Sequence, residues 1–202
     1  MALVLGSLLG PSSKARDAAA TLQVVLQHGS RWTAMAVLFF IASVALTLGL
    51  PTFVALFQRR RGRYLGLAGS SIFLIGTIGT CGYSMLMTFF HALVVHHAID
   101  ASMLDQVVSG GWLAVFLYLW IVGFMAGLVL IALGLFRSRS TPLWVPALMV
   151  VFVALTPVSG ELGKVVQLLQ LMALALALTG VAVAATASGG TREVHLTSTG
   201  AL

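Results

Sequence analysis

The chain has 202 residues, of which 59% are hydrophobic and 8% are charged, and its formal net charge is +6. A water-soluble domain of this size needs more charged residues than this to cover its surface. The composition therefore excludes an ordinary soluble protein. Four of the basic residues stand in one short stretch, at Arg59, Arg60, Arg61 and Arg63. Their placement indicates an anchor at anionic lipid and excludes a nucleic-acid groove.

The N-terminal segment, residues 1–30, is expected to precede the membrane-spanning part. Residues 1–9 are apolar but too short to cross a bilayer, and they lack the basic start of a secretory signal. Pro11 and the two serines after it offer a helix start. Residues 14–27 then have the composition of a short amphipathic helix that lies at the membrane interface.

Long stretches without Asp, Glu, Lys or Arg dominate the rest of the chain. A helix of about 20 apolar residues crosses the hydrocarbon core of a bilayer, and four of these stretches reach that length. A fifth, shorter stretch is bounded by Pro157 and a turn at Ser159 and Gly160. The predicted spans are residues 31–57, 64–98, 111–136, 142–158 and 161–187.

The fold class is therefore all-α. We expect an integral membrane helical bundle of about five transmembrane helices at residues 31–187, followed by a loosely ordered polar tail at residues 188–202. Its location is the cell membrane, where it is a multi-pass protein in contact with the lipid bilayer, and nucleic acid is not an expected partner.

The second predicted span carries a stripe of polar side chains. They recur at steps of three and four residues, which places them along one helix face: Thr77, Thr80, Ser84, Thr88 and His91. Serine and threonine in membrane helices often bond their own backbone carbonyls and aid close packing, as do the glycines of this helix, which are Gly66, Gly69, Gly76, Gly79 and Gly82. The stripe has either this packing role or a functional one.

His91 is the most informative member of the stripe. It lies about two turns inside the predicted end of the span, where an ionisable group is costly and usually faces a cavity or a partner. His96 and His97 stand nearby, but His91 and His96 differ by about 140° around a helix, so their spacing does not favour a metal site. We therefore expect no bound metal here.

The fifth predicted span begins with Glu161, followed by Lys164, Gln167 and Gln170 on one broad face. An acid in the first turn of a helix is favoured by the helix dipole, and Lys164 has the spacing for an ion pair. Those two effects alone account for Glu161. A polar face within a span is also expected to turn inward, towards other helices or water.

An aromatic ridge follows the third predicted span. Trp112, Phe116, Trp120 and Phe124 are spaced four residues apart. Trp112 alone is typical of the interfacial aromatic belt, whereas Trp120 and Phe124 lie too deep for it. The ridge contacts lipid or the protein core, or it forms an apolar wall whose ring faces attract a cation.

Four segments follow one another along the chain and carry a resemblance to known proteins: QHGSRW, PTFVALFQRRRGRYLGLAG, FFHALVVHHAID and SGELGKVVQLLQL. Over nearly its whole length the chain resembles small polytopic membrane proteins of actinobacteria and, among them, the bacterial membrane-bound terpene cyclases of the drimentine type. The resemblance implies an enzyme that cyclises a farnesyl chain on an indole alkaloid. Protonation of an alkene or epoxide starts that reaction, so the resemblance also implies an acid beside an aromatic-lined cavity.

The resemblance makes a prenylated lipophilic small molecule the expected partner, and it orders the candidate residues. Glu161 is the first candidate proton donor, then Asp105 and Asp100, with His91 as a hydrogen-bond partner or terminating base. The candidate substrate contacts are Trp112, Phe116, Trp120, Tyr83 and Gln167. Because the chain has no DDxxD-like acidic run, a magnesium-dependent cyclase is not expected, and no cofactor is required. The alternative is a non-catalytic integral membrane protein, such as an accessory subunit, a scaffold or a small transporter component.

The loop charges predict the orientation of the chain. Loop 58–63 carries four arginines and loop 137–140 carries two, so both loops are expected in the cytoplasm. Asp100, Asp105 and Glu161 then face the outside. A cysteine introduced at position 62 should resist a membrane-impermeant thiol reagent in intact cells. Efficient labelling there would reverse the orientation and move the three acids to the cytoplasmic side.

Overall fold

The computed structural model describes the backbone of residues 18–57, 61–109 and 111–198. Within these ranges, some side chains lie outside the description, among them those of residues 158–162, of Lys164 and of every residue from Ser188 onward. All secondary structure in the described part is helical, which confirms the all-α class. The helices are α1 Ala18–Gln27, α2 Gly29–Phe57, α3 Arg63–Val95, α4 Ala101–Ser109, α5 Gly111–Ser138, α6 Trp144–Leu162 and α7 Lys164–Ser198.

In the described part of the chain, four stretches of helix are long and apolar enough to cross a membrane, which confirms the main prediction from composition. They are Gly29–Phe57, Arg63–Val95, Gly111–Ser138 and Val165–Ala187. The predicted fourth span corresponds to α6, whose described apolar part, Trp144–Pro157, is shorter. The whole of α6 has 19 residues, which is about 28 Å of helix against a hydrocarbon core of about 30 Å.

The chain divides into two compact units. Unit 1 contains the described residues up to Thr47 together with Ile75–Phe124. Unit 2 contains Leu48–Leu74 and the described residues from Met125 onward. Helices α2, α3 and α5 each contribute residues to both units.

In unit 1, α3 packs against both α2 and α5. The Trp32 indole donates a hydrogen bond to the Met87 carbonyl at 3.0 Å, and the Ser43 hydroxyl donates to the Thr77 carbonyl. Earlier residues of α2 therefore meet later residues of α3, so the two helices are antiparallel. The short helices α1 and α4 contact each other in the same unit.

Glycines set the distance between α3 and α5 in both units. In unit 1, a Cβ built on Gly76 would lie 2.5 Å from the Phe124 Cα. In unit 2, a Cβ built on Gly127 would lie 2.5 Å from the Phe73 backbone nitrogen. Real side chains do not approach backbone so closely, so only glycine permits these contacts. Gly82 does not follow the predicted pattern, since a Cβ there would have nothing within 4 Å.

In unit 2, α6 and α7 form an antiparallel hairpin joined by Gly163, whose φ of +93° is a left-handed conformation that favours glycine. Gln170 is buried and its Nε2 donates to the Phe152 carbonyl at 3.0 Å and to the Thr156 hydroxyl at 2.7 Å. Further along α7, Gly180 lies against the side chains of Trp144 and Val145. The two bonds donated by this buried amide thus fix the register of the hairpin.

The break between α6 and α7 corrects the prediction for this region. Pro157 lies inside α6 and does not end it, and the turn falls at Gly163 instead of Ser159 and Gly160. Glu161 is therefore in the last turn of α6, not in the first turn of the next helix. Both Gly160 and Gly163 can adopt a turn conformation, and the sequence alone does not distinguish them.

Two further boundaries differ from the predicted ones. The segment 99–110, expected to be a loop, contains the nine-residue helix α4. The backbone of α7 continues to Ser198, so much of the predicted polar tail at 188–202 extends that helix. At the N-terminus, α1 shows that residues 18–27 of the predicted segment 14–27 are helical, while its position at the membrane interface stays a prediction. Residues 1–17 lie outside the described residues.

The C-terminal end of α3 has the hydrogen bonds of a Schellman motif. The Ala98 N–H donates to the Leu93 carbonyl at 2.9 Å, and the His97 N–H donates to the Val94 carbonyl at 3.2 Å. His97 has the left-handed φ of +52° that this motif requires. It is therefore the residue that terminates the helix, a local structural role that accounts for one of the clustered histidines.

Position 62 is a poor site for the labelling cysteine proposed above. Gly62 has a φ of +92°, and a Cβ there would lie 3.0 Å from the Gly134 carbonyl oxygen. A substitution at Gly62 would therefore strain the loop. The neighbouring Arg61 is exposed, so a cysteine at position 61 tests the same prediction without this strain.

The glycine contacts predict opposite effects of one substitution at two positions of α3. Gly76→Ala should lower the free energy of unfolding by about 1–3 kcal/mol, because its Cβ would collide with the backbone of Phe124. Gly82→Ala, in open space on the same helix, should be neutral or stabilise the protein by up to about 1 kcal/mol. Thermal unfolding in detergent micelles measures both. Equal effects of the two variants would contradict the close approach of α3 and α5.

Candidate functional site

Two of the predicted substrate contacts lie together in unit 1. The rings of Tyr83 on α3 and Trp120 on α5 are stacked, with centroids 4.6 Å apart and an interplanar angle of 25°. The Trp120 indole N–H donates to the Thr80 hydroxyl at 2.8 Å, and that hydroxyl donates to the Gly76 carbonyl at 3.0 Å. Gly79 leaves room for the Trp120 side chain. Trp120 is therefore held by a stack, a hydrogen bond and a close backbone contact.

The aromatic ridge predicted on α5 is divided by the structure. Trp112 is 82% exposed and Phe116 is 70% exposed, whereas Phe124 is buried against α3. Each step of four residues turns a helix by about 40° beyond one full turn, so Trp112 and Phe124 differ by about 120° around the axis. The four rings therefore do not line one surface. The exposure of Trp112 is typical of an interfacial belt residue.

His91 lies at the opposite end of the polar stripe, against the start of α2. Its Nδ1 is 3.5 Å from the Thr33 hydroxyl oxygen, a long contact for a hydrogen bond. Its Nε2 lies so close to Gly29 that a Cβ on that residue would collide with it. Trp32 packs nearby, with its ring centroid 6.3 Å from that of Phe90. His91 is thus half-buried and fixed between two helices.

Most hydroxyls of the stripe have a packing role. The Thr80, Ser84 and Thr88 hydroxyls donate to backbone carbonyls three or four residues earlier in α3. Such bonds satisfy a hydroxyl within its own helix and leave it no need of a ligand. Among the described residues, the buried side-chain atoms without a hydrogen-bond partner include His28 Nδ1, at the junction of α1 and α2.

Asp100 is the N-cap of α4. Its Oδ1 accepts the Met103 backbone N–H at 2.8 Å and the Ser102 hydroxyl at 2.8 Å. The bond from the Met103 N–H, followed by that from the Ser102 hydroxyl, stabilises the carboxylate and holds the pKa of Asp100 below its usual value. A carboxyl group with a lowered pKa is more completely ionised at neutral pH, so it rarely holds the proton that it would have to donate. This geometry disfavours Asp100 as the acid of an alkene protonation.

The other candidate acids are not brought to the stacked pair by any described contact. Asp105 is exposed on α4. Glu161 lies in the last turn of α6, and its side chain is outside the described residues. Gln167 is exposed on α7, while Gln170, which was not a candidate contact, is the buried amide of that helix. Gln167 and Gln170 are only about 60° apart around the helix axis, so the boundary between the exposed and buried sides of α7 passes between them.

The described residues contain no group of three or more His, Cys, Asp or Glu side chains that could hold a metal ion. Comparison of the chain with protein-family models, with curated proteins and with solved structures found no match. The relation to terpene cyclases therefore depends on the sequence segments quoted above, and its consequences are proposals.

The bonds of Trp120 predict that the exposed Trp112 and the half-buried Trp120 of α5 respond differently to the same substitution. Trp120→Phe should lower the free energy of unfolding by about 1 kcal/mol, because it removes the hydrogen bond to Thr80 and part of the stack on Tyr83. Trp112→Phe, at an exposed position, should leave it unchanged. Thermal unfolding in detergent micelles compares the variants. A loss of similar size in both would show that the Thr80 bond contributes nothing.

Proposed function

We propose that the chain is a membrane-embedded cyclase that binds a prenylated lipophilic small molecule and closes rings in its prenyl chain. The observation that carries the proposal is the stacked pair of Tyr83 and Trp120 within unit 1. A prenyl chain partitions into lipid, so it reaches a helical bundle from within the bilayer. The pair offers such a chain an apolar, aromatic surface on helices long enough to span that bilayer.

Aromatic faces suit the intermediates of this chemistry. The negative electrostatic potential of a ring face attracts a cation, and the attraction increases when water is excluded. Stabilising a carbocation sets two conditions on the surrounding side chains. They must not react with the cation, and they must stay in place beside it. Trp120 meets the second condition because its ring is held by Tyr83, Thr80 and Gly79.

The proposed reaction is an isomerisation and needs no cofactor. A carboxylic acid transfers a proton to a terminal alkene or epoxide of the substrate, the resulting cation is attacked by the next alkene to form a carbon–carbon bond, and the last cation loses a proton to a base. Glu161 remains the first candidate donor. Its place in the last turn of α6 supports this role, since the C-terminal end of a helix disfavours a negative charge.

His91 is the candidate terminating base within unit 1. It is half-buried, and its contact with Thr33 is long, so its ring nitrogens are not strongly engaged. The acid order proposed from sequence changes at one point. Asp105 keeps its place behind Glu161, while Asp100 is withdrawn because it caps α4.

A second candidate function is that of a non-catalytic membrane protein, such as a scaffold or an accessory subunit. Two observations favour it. Asp100 and Asp105 are exposed, and most hydroxyls of the polar stripe are bonded to backbone carbonyls. Polar groups that are exposed to solvent or already bonded within the protein do not require a substrate to account for their presence.

Product analysis after co-expression with a prenylated indole donor tests the cyclase proposal. Wild-type membranes should yield a cyclised product with the mass of the donor, because the reaction is an isomerisation. Glu161→Gln should reduce its yield by about 100-fold or more at equal protein level, as expected for loss of a general acid. Asp100→Asn should retain near-wild-type yield. Full activity of both Glu161→Gln and Asp105→Asn would eliminate these acids as donors.

Two tryptophan variants of α5 test the aromatic wall. Trp120→Leu should lower the yield and increase the share of partially cyclised products, because the later cations lose their stabilising ring. Trp112→Leu makes the same change at an exposed position and should leave the product ratio unaltered. Absence of any cyclised product from wild-type membranes would favour the non-catalytic function.

A further inference from the structure

Four exposed arginines occur at loop positions and helix ends of unit 2. Arg61 and Arg63 belong to the connection from α2 to α3, and Arg137 and Arg139 to the C-terminal end of α5. The sequence separates the two pairs by more than 70 residues. Their charges have no role in the proposed reaction.

Gly62 brings the two pairs together. A Cβ on this residue would lie 3.0 Å from the Gly134 carbonyl oxygen and 3.2 Å from the Arg137 Cβ. The loop backbone therefore rests directly on the last turns of α5. The left-handed φ of +92° at Gly62 makes this contact specific to glycine. Arg61 and Arg63 are the chain neighbours of Gly62, and Arg139 follows Arg137 by two residues, so the four arginines stand on adjoining backbone segments and are together called the basic cluster.

The cluster has no acidic counterpart among the described side chains of unit 2. The described carboxylates, those of Asp100 and Asp105, belong to unit 1. Neighbouring guanidinium groups repel one another, and a bound anion relieves that repulsion. The cluster thus has the electrostatic character of an anion site.

The depth of the cluster points to the source of the anion. Arg63 is the first residue of a membrane-spanning stretch, and Arg137 lies in the last turn of another. Tyr64 is 85% exposed and Trp144 is 49% exposed in the same unit. Exposed Tyr and Trp at the ends of spans are typical of the level of the lipid headgroups.

We propose that Arg61, Arg63, Arg137 and Arg139 form a binding site for the phosphate group of an anionic phospholipid. The planar guanidinium group donates two parallel hydrogen bonds to phosphate oxygens. The four positive charges favour anionic over zwitterionic lipids, since the described side chains of unit 2 include no carboxylate to neutralise them. This inference does not depend on the cyclase proposal and stands if that proposal fails.

Native mass spectrometry of the full-length protein, released from membranes reconstituted with defined lipids, tests the site. Cardiolipin and phosphatidylglycerol should be retained and phosphatidylcholine should not. The double variant Arg61→Gln, Arg137→Gln should reduce retention of the anionic lipids by about 25-fold, since each arginine near an anionic surface contributes a factor of about five. Arg31→Gln removes an exposed arginine of unit 1 and should have no effect.

A glycine variant separates an assembled site from a surface that is merely basic. Gly62→Ala keeps every charge but disturbs the contact with α5, and it should also weaken retention of cardiolipin. Gly49→Ala, where a Cβ meets nothing within 4 Å, is its control. Arg137→Lys keeps the charge, loses the paired hydrogen bonds and should give an intermediate loss.

Three outcomes would overturn the proposal. Equal retention of phosphatidylcholine would show that the site does not select charge. Unchanged retention in the double variant would show that the arginines are not the site. Displacement of cardiolipin by millimolar inorganic phosphate would identify a site for a soluble anion instead of a lipid.

Discussion

The close approach of α3 and α5 is the contact on which both units depend. Within a bilayer, apolar side chains gain little by leaving lipid for protein, so helices associate mainly through close van der Waals packing. Gly76 and Gly127 permit this packing by removing the side chains that would hold the backbones apart. The same contact decides where the aromatic residues of α5 lie. Trp120 reaches Tyr83 and Thr80 because Gly79, one turn from Gly76, leaves space for its ring.

Polar groups within the spans are satisfied locally, and this limits what they can do. The Thr80, Ser84 and Thr88 hydroxyls bond to carbonyls of their own helix, and Gln170 bonds to the backbone and a hydroxyl of α6. An unsatisfied polar group in hydrocarbon costs several kcal/mol, so such bonds are required whatever the function. Trp120 is the exception with functional interest, because its hydrogen bond also orients a large aromatic face.

The sequence predicted the all-α fold and four of the spans because long uncharged stretches have few other stable states. It also named the glycines of α3 as packing positions, which holds for Gly66, Gly69, Gly76 and Gly79 and fails for Gly82. Two features of the sequence pointed only weakly to the structure: the N-cap of α4 and the arrangement of the aromatic residues on α5. Asp100 precedes Met103 by the spacing of an N-cap bond, yet α4 has only nine residues and was expected to be a loop. The aromatic residues of α5 are regularly spaced, but each step of four residues moves the side chain about 40° further around the helix axis. Over three steps this rotation places Trp112 and Phe124 in different environments.

The charged residues are of two kinds: some are hydrogen-bonded within their own helix, and others have no described group of opposite charge beside them. Asp100 is bonded by the backbone and a hydroxyl of its own helix, so its charge is balanced without a ligand. The described side chains of unit 2 include no carboxylate to balance Arg61, Arg63, Arg137 and Arg139, whose backbone segments meet at the left-handed Gly62. Chain segments that repel one another stay in contact only where packing or a bound counter-charge offsets the repulsion. In the proposed site, an anionic lipid headgroup supplies that counter-charge.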